Sequence, residues 1–390
     1  MSTPRPEDPR RELARALAAH QPAALAAWLD AHELSQQDVA WLRQQGLALF
    51  AFHRLQQADL LGKAPAGVAI PWQDAYQRAI VATASMDWEI DRVLLALERA
   101  GVDFVWLKGA ALAYAVYANP ACRLRGDLDL WIQPEQAPLA AAVLAGLGFR
   151  LAGKDDRPDA LVLLVGGELQ MAGAGSVLEL VELQWPALRG EWVRHTTAID
   201  HPAIWQRRAR LAVGQHSYPV MAPEDTLLHR CLHQAINHQF SAPWLRNLLD
   251  VHLLAAAGTL NWSQLERTAR QWRLATVVWT VLNQAQRLLG TAAPPAIMQA
   301  LAPPAWQRWL IDRLRLEEAL LTMQPGGYGY RRFLIQVALV DRARDAARLM
   351  LRGIFPEAGW LRARYGLAPD ERLARWRVLH WWRLATTARA

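Results

Sequence analysis

The 390-residue chain has two cysteines, three lysines among its 43 basic residues, and no apolar run approaching the length of a membrane span. Cys122 and Cys231 cannot staple a chain of this size, so both are expected as free thiols in a reducing, cytoplasmic compartment. Apolar stretches such as LAAAVLAGLGF at 139–149 fall well short of the roughly 20 residues a spanning helix needs, so no membrane partner is expected. The N-terminal MSTPRPEDPRR has no long apolar region behind its charges and is not read as a secretion signal. Several site patterns are missing too. LKGAAL lacks the glycines and Gly-Lys-Ser/Thr ending of a P-loop, and GDLDLW lacks the central glycine and closing glutamate of a calcium loop. Neither GxSxG nor HExxH occurs, which removes the nucleophile elbow and the zincin helix.

What is present suits a soluble globular protein with a large core: 53% apolar and 20% charged residues. The net charge of +7 is unevenly placed, because residues 301–390 hold 16 arginines, no lysine and eight acidic residues. Such a segment can attract nucleic acid by counterion release, but equally it can be a solvated helical face. Nucleic acid is therefore a possible partner and not the favoured one. The 19 tryptophans fall mostly at helical spacings and read as packing rather than as base-stacking platforms.

The most informative stretch is GVDFVWLKGAALAYAVYANPACRLRGDLDLWI at 101–132. It reads as a short apolar strand, a Lys-Gly turn, a small-residue helix, an arginine-bearing loop and a second strand. On that strand a period of two puts Asp127 and Asp129 on one face and Leu128, Leu130 and Ile132 on the other. Two carboxylates side by side repel, and a divalent cation removes the repulsion. If the ion is Mg²⁺, the substrate carries phosphates, and the free N–H groups of the helix after Lys108-Gly109 would meet such an anion.

Two-metal nucleotidyl transfer uses ions about 3.5–4 Å apart, commonly held by three carboxylates. Asp127 and Asp129 are the pair, and the candidate third is Glu182 on a separate strand, VLELVELQW at 177–185. There Leu180, Glu182 and Gln184 share one face, while Glu179 points the other way and is the weaker candidate. Lys108, at the end of an apolar strand, is assigned to triphosphate or to strand-end carboxylates. Gly109 would let the backbone approach the phosphates. Of Arg123 and Arg125, one would bind phosphate and the other balance the acidic strand. His229 and His233 share a helical face, but Cys231 points away and His238 lies too far along to complete a zinc site, so they are read as core or cleft-lining histidines.

The chain divides into an N-terminal helical region at 1–98, an α/β core at 99–200 and a larger helical region at 201–390. Residues 1–12 are expected to be disordered, with helical segments over 13–58, a break at 60–71 and a long helix over 72–99. Strand, helix, strand, helix follow from 102 to 147. LVLLV at 161–165 is open to a strand reading. From His201 onward the pattern is helical, with helices expected at 243–257, 262–288, 304–322 and 330–353 and a final Trp- and Arg-rich helix from Pro369.

At these residues the chain resembles the uncharacterised bacterial nucleotidyltransferase family of the polymerase-beta-like superfamily. The resemblance rests on LKGAAL at 107–112, YAVYANP at 114–120 and RLRGDLDLWI at 123–132, and continues through PEDTLLHRCLHQAINH at 223–238, LRNLLDVHLL at 245–254 and FPEAGWLRARYG at 355–366. It implies a small mixed-sheet core flanked by helical regions, with Asp127, Asp129 and Glu182 as catalytic metal ligands and Lys108, Gly109 and Arg123 at the nucleotide, where Arg125 is a candidate from its place in the loop alone. It also implies Mg²⁺ or Mn²⁺ and a nucleoside triphosphate such as ATP, with an acceptor that is a small molecule, a protein or an RNA end. One family element departs: Asp-Leu-His-Trp is here ELQW at 182–185, with Glu182 for the aspartate and Gln184 for the histidine. Glutamate still ligates magnesium, but glutamine cannot act as base or cation. That substitution motivates an alternative, a catalytically inactive nucleotide-binding or scaffold protein. The arginine-rich tail motivates another, a helical RNA-binding module.

Overall fold

The computed structural model describes residues 8–152, 164, 166–240, 244–317 and 330–387. Four short helices come first: α1 (Pro9–Ala18), α2 (Pro22–Ala31), α3 (Gln36–Gln44) and α4 (Ala48–Gln57). The expectation of disorder through residue 12 fails from Pro9 onward, because the Asp8 side chain caps α1 at the Arg10 N–H. Ser35 and Asp38 form a reciprocal capping box that starts α3. The long helix α5 (Ala66–Arg99) begins six residues before the expected Trp72 and takes Pro71 into its second turn. Its far end delivers the chain into the sheet.

The sheet comprises β1 (Phe104–Leu107), β2 (Asp127–Ile132), β3 (Phe149–Ala152), β4 (Gly167–Gly173), β5 (Leu180–Trp185), β6 (Ala209–Val213) and β7 (His216–Val220), in the order β3-β4-β5-β2-β1-β7-β6. It is mixed: β2 pairs parallel with β5 and β1 with β7, while the other pairs are antiparallel. Helix α6 (Lys108–Ala115) follows β1, and α7 (Ala137–Gly146) follows β2. Alternation along β1, β2 and β5 sends Phe104, Trp106, Leu128, Leu130, Val181 and Leu183 to one core, packed on the ends of α5 and α7. Val105, Leu107 and Trp131 point the opposite way, into a second core built from the helical regions.

The sheet extends further along the chain than the helical pattern after His201 led us to expect. Strands β6 and β7 form a hairpin around Gly214 (φ 58°), and β7 joins the edge of β1 through Trp106 and Val220. Before it lie two short helices, α8 (Glu191–Thr196) and α9 (His201–Gln206). The remaining helices are α10 (Pro223–Leu232), α11 (Trp244–Ala256), α12 (Trp262–Gln271), α13 (Ala275–Leu289), α14 (Pro295–Leu301), α15 (Ala305–Arg313), α16 (Tyr330–Ala338), α17 (Ala343–Ile354), α18 (Ala358–Tyr365) and α19 (Ala374–Thr387). Helix α10 runs on into a π-helical turn over His233–Asn237.

Two expected helices are broken. The one at 262–288 stops at Arg273, which is left-handed at φ 61°, and the next begins where Asp341 accepts from the Ala275 and Thr276 N–H groups at 2.9 and 2.8 Å. The one at 330–353 is split between α16 and α17, and the tail helix starts at Ala374 rather than Pro369. The helix expected at 304–322 already stops at Arg313, and Arg315 beyond it has a positive φ of 46°. Residues 1–7, most of the LVLLV segment and residues 318–322 lie outside the described residues. The N- and C-terminal helices share one interior: Leu13 and Leu17 belong to the same buried cluster as Leu248, Val281 and Leu282. No helix among the described residues is long and apolar enough to cross a membrane.

Candidate active site

The site is built on the β2–β5 pair. In its parallel register Asp127 stands opposite Leu180, Asp129 opposite Glu182 and Trp131 opposite Gln184. Residues opposite one another share a sheet face, so the face of Asp127 and Asp129 is also that of Glu182 and Gln184. Asp127 is exposed at the start of its strand, whereas Asp129 is buried at 2% exposure.

Lys108 closes this group from the neighbouring strand. Leu107 pairs with Asp129 across β1 and β2, and the chain turns into α6 at Lys108, which is held left-handed at φ 54°. That conformation costs a side-chain-bearing residue on the order of 1 kcal/mol or more, and the ion pairs it makes are what the strain secures. Lys108 Nζ donates to Asp129 Oδ1 at 2.5 Å and to Glu182 Oε2 at 3.3 Å. Burial would lower its pKa, but Asp129 and Glu182 more than offset this and hold it above the usual lysine value. Burial likewise raises the Asp129 pKa well above the carboxylate range; Lys108 opposes the rise, and Asp127 and Glu182 add to it. One ammonium therefore pairs with two of the three carboxylates, Asp129 and Glu182, while Asp127 stands exposed at the start of β2.

The donor set fits a hard divalent ion, since all three groups offer carboxylate oxygen. These carboxylates do not draw together as tightly as Glu191, His195 and Glu357, whose ligand atoms lie within 4.8 Å of one another and form a candidate metal-binding cluster among the described residues. That second cluster already contains a cation. Arg352 lies 2.8 Å from His195 Nε2, 3.8 Å from Glu191 Oε1 and pairs with Glu357, so a metal there would have to displace a guanidinium.

Around Glu182 a polar layer extends onto β4. Gln170 Nε2 donates to Glu182 Oε1 at 2.7 Å and to Glu168 Oε1 at 3.1 Å, and Arg189 pairs with Glu168 at 2.6 Å. Gln184 is 1% exposed, and its Nε2 has no acceptor. It lines a small cavity of about 30 Å³ with Lys108, Arg189, His229, His233 and Asn237. Both histidines come from the end of α10, as their helical spacing suggested. Burial and the Lys108 charge lower their pKa values well below the usual histidine range, so both rings are neutral near pH 7.

The two arginines occupy different positions. Arg123 Nε and NH2 grip Asp250 of α11 at 2.9 and 3.0 Å, and its NH1 donates to the Leu124 carbonyl at 2.7 Å. Tyr117 and Arg230 also meet Asp250, at 2.7 and 2.9 Å, so a phosphate would have to compete with a buried carboxylate for Arg123. Gly109 serves this clamp: a Cβ there would lie 3.0–3.2 Å from the Arg123 guanidinium atoms. Arg125 pairs with Asp87 and lies 5.0 Å over the Tyr114 ring, and its buried Nε and NH1 have no acceptor.

Sequence reasoning missed Asp250, Glu168, Gln170 and Arg189. An aspartate inside the apolar run LRNLLDVHLL and the period-two spacing in GELQ were the available signals.

A family model described as "Uncharacterised nucleotidyltransferase" matches residues 34–290. Among solved structures, the chain is similar to an antigenic nucleotidyltransferase-like protein from Paracoccidioides brasiliensis, at 18% identity over 54% of this chain and 89% of that one, with a TM-score of 0.30. No curated protein matches the chain.

Proposed function

The chain belongs to the uncharacterised nucleotidyltransferase family, and from that premise we propose that it moves a nucleoside monophosphate from a nucleoside triphosphate to a hydroxyl acceptor. The observation that carries this reading is the Asp129–Glu182 register, with Asp127 on the same face and Lys108, at the end of β1, reaching both Asp129 and Glu182. Asp127, Asp129 and Glu182 are the residues that would hold Mg²⁺ or Mn²⁺. When bound, the ion supplies electrophilic pull on the α-phosphate and lowers the pKa of the attacking hydroxyl.

In the reaction, the acceptor hydroxyl loses its proton to solvent, its oxygen bonds to the α-phosphorus, and the bond to the leaving pyrophosphate breaks. Lys108 would exchange a carboxylate for a phosphate oxygen as the triphosphate arrives, at the start of α6, where the first helical N–H groups suit an anion. Arg123 is held by Asp250 and Arg125 by Asp87 beside the Tyr114 ring, so an anion would have to draw either guanidinium from its partner. Gln184 cannot take a proton, so its part is to orient a substrate group by hydrogen bonding.

A second reading, nucleotide binding without turnover, is favoured by one observation. The Lys108 ammonium already pairs with Asp129 and Glu182, so the acidic face is partly neutralised from within. Pyrophosphate release measured with Mg²⁺, a nucleoside triphosphate and a panel of hydroxyl acceptors separates the two. Turnover that disappears in Asp127→Asn and Asp129→Asn supports transfer. Saturable triphosphate binding with no release for any acceptor supports the second reading.

A further inference from the structure

On the other side of Lys108 from Gln184 lies a larger cavity of about 280 Å³, between α6, the β6–β7 hairpin and the helices α10 and α11. Lys108 and His229 line both cavities, so they stand where the two meet. The linings differ in character. The smaller cavity offers Gln184, Arg189, His233 and Asn237, a set suited to phosphate and other polar groups. The larger one is floored by the buried side chains of Leu107, Leu112, Met221 and Leu254, with Ala115, Arg210, Ala257 and Thr259 exposed around its mouth.

We infer that this apolar chamber binds the body of the acceptor, and that the acceptor is a small alcohol with an apolar, ring-sized body whose hydroxyl is oriented by His229. The inference rests on the transfer reaction proposed above and adds the substrate class. Three observations support it. An apolar cavity of ~150 Å³ already takes benzene, so this one has room for a substituted ring. Its polar lining includes groups that meet a hydroxyl: the His229 imidazole, whose neutral state leaves one ring nitrogen free to accept, and Trp106, whose Nε1–H is buried without an acceptor, beside Lys108 and Thr226, which already have partners. A sugar or a nucleic-acid end would instead bring more hydroxyl or phosphate groups than the few polar side chains among the leucine, methionine, valine and alanine of this lining can meet.

The experiment uses the full chain, with 2-phenylethanol and glycerol as probes in saturation-transfer NMR. Ala115→Trp and Ala257→Trp fill the mouth at exposed positions, and circular dichroism checks that both variants keep their helix content. The expected result is saturable binding of 2-phenylethanol, little binding of glycerol, and loss of about tenfold or more in affinity in each tryptophan variant. Equal binding of the two probes, or unchanged binding of 2-phenylethanol in both variants, overturns the inference. So does displacement of the probe by Mg²⁺-ATP, which would put the nucleobase in the chamber. Pyrophosphate release is read separately. Release with glycerol but not with aryl alcohols overturns the acceptor class and leaves the transfer reaction standing; selective probe binding with no release for any acceptor removes the reaction and leaves the chamber's preference for apolar alcohols standing.

Discussion

Asp129 and Glu182 lie directly opposite each other on the parallel strands β2 and β5, and both reach the same Lys108 ammonium. Fifty-three residues of chain separate them, and the pairing of two strands makes them one acidic face.

Glu182→Gln is accordingly expected to lower metal-dependent turnover by about a hundredfold or more, the scale expected when a direct transition-state contact is lost. Glu179→Gln, one residue before β5 begins and off this face, is expected to stay within about threefold. Steady-state pyrophosphate release by the two variants checks this pair. Equal losses in both would remove Glu182 from the site.

The Asp250 cluster makes a stability prediction. Two buried guanidinium groups, Arg123 and Arg230, and the Tyr117 hydroxyl all converge on one carboxylate. Removing it leaves buried cations unpaired, so Asp250→Asn is expected to cost about 3–5 kcal/mol in urea denaturation. Gly109→Ala pushes on the same clamp from the other side and is expected to cost about 1–3 kcal/mol by overpacking. A Gly109→Ala variant as stable as the parent would show that the guanidinium is not held where the ion pair places it.

Acidification has a defined sign. His229, His233 and His238 are depressed mainly by burial, the first two well below the usual value and His238 to about 4. Between the unfolded histidine value of ~6.5 and these lower values, the unfolded chain binds more protons. These histidines therefore contribute a loss of stability as pH drops from about 6.5 toward 4, while Asp129, whose pKa burial raises, contributes in the opposite sense above the unfolded aspartate value. Asp250 does not contribute to that loss: its folded pKa is depressed, so its contribution is complete above the unfolded aspartate value of ~3.9 and is lost only below it. Thermal midpoints of the parent and of His238→Gln measured from pH 7 to 4 should diverge, the parent losing more stability on acidification than the variant. The same pH dependence in both would contradict a neutral, buried His238.

Much of the site was legible because its residues lie close together in the chain or on a strand of clear period. Lys108, Asp127 and Asp129 sit within one strand-helix-strand unit, and the face of Glu182 follows from alternation alone. What alternation does not carry is which strand lies beside which, so the Asp129–Glu182 contact needed the sheet. The β6–β7 hairpin was missed for a different reason. Its strands are five residues each, and Pro219 sits in one of them, where proline ordinarily argues against a strand. The Arg123–Asp250 clamp was out of reach because its partners lie 127 residues apart on separate elements. Arg123 consequently reads as a phosphate ligand in sequence and as the tie between the core and α11 in structure.

The proposed transfer requires the β2–β5 acidic face to hold the metal, and anomalous scattering from Mn²⁺ in crystals containing a non-hydrolysable nucleoside triphosphate locates the ion. The expected peak lies within ~2–2.3 Å of carboxylate oxygens of Asp127, Asp129 and Glu182, with Lys108 drawn toward phosphate. A peak at Glu191, His195 and Glu357 instead, or triphosphate bound with no manganese at the β2–β5 face, would contradict it.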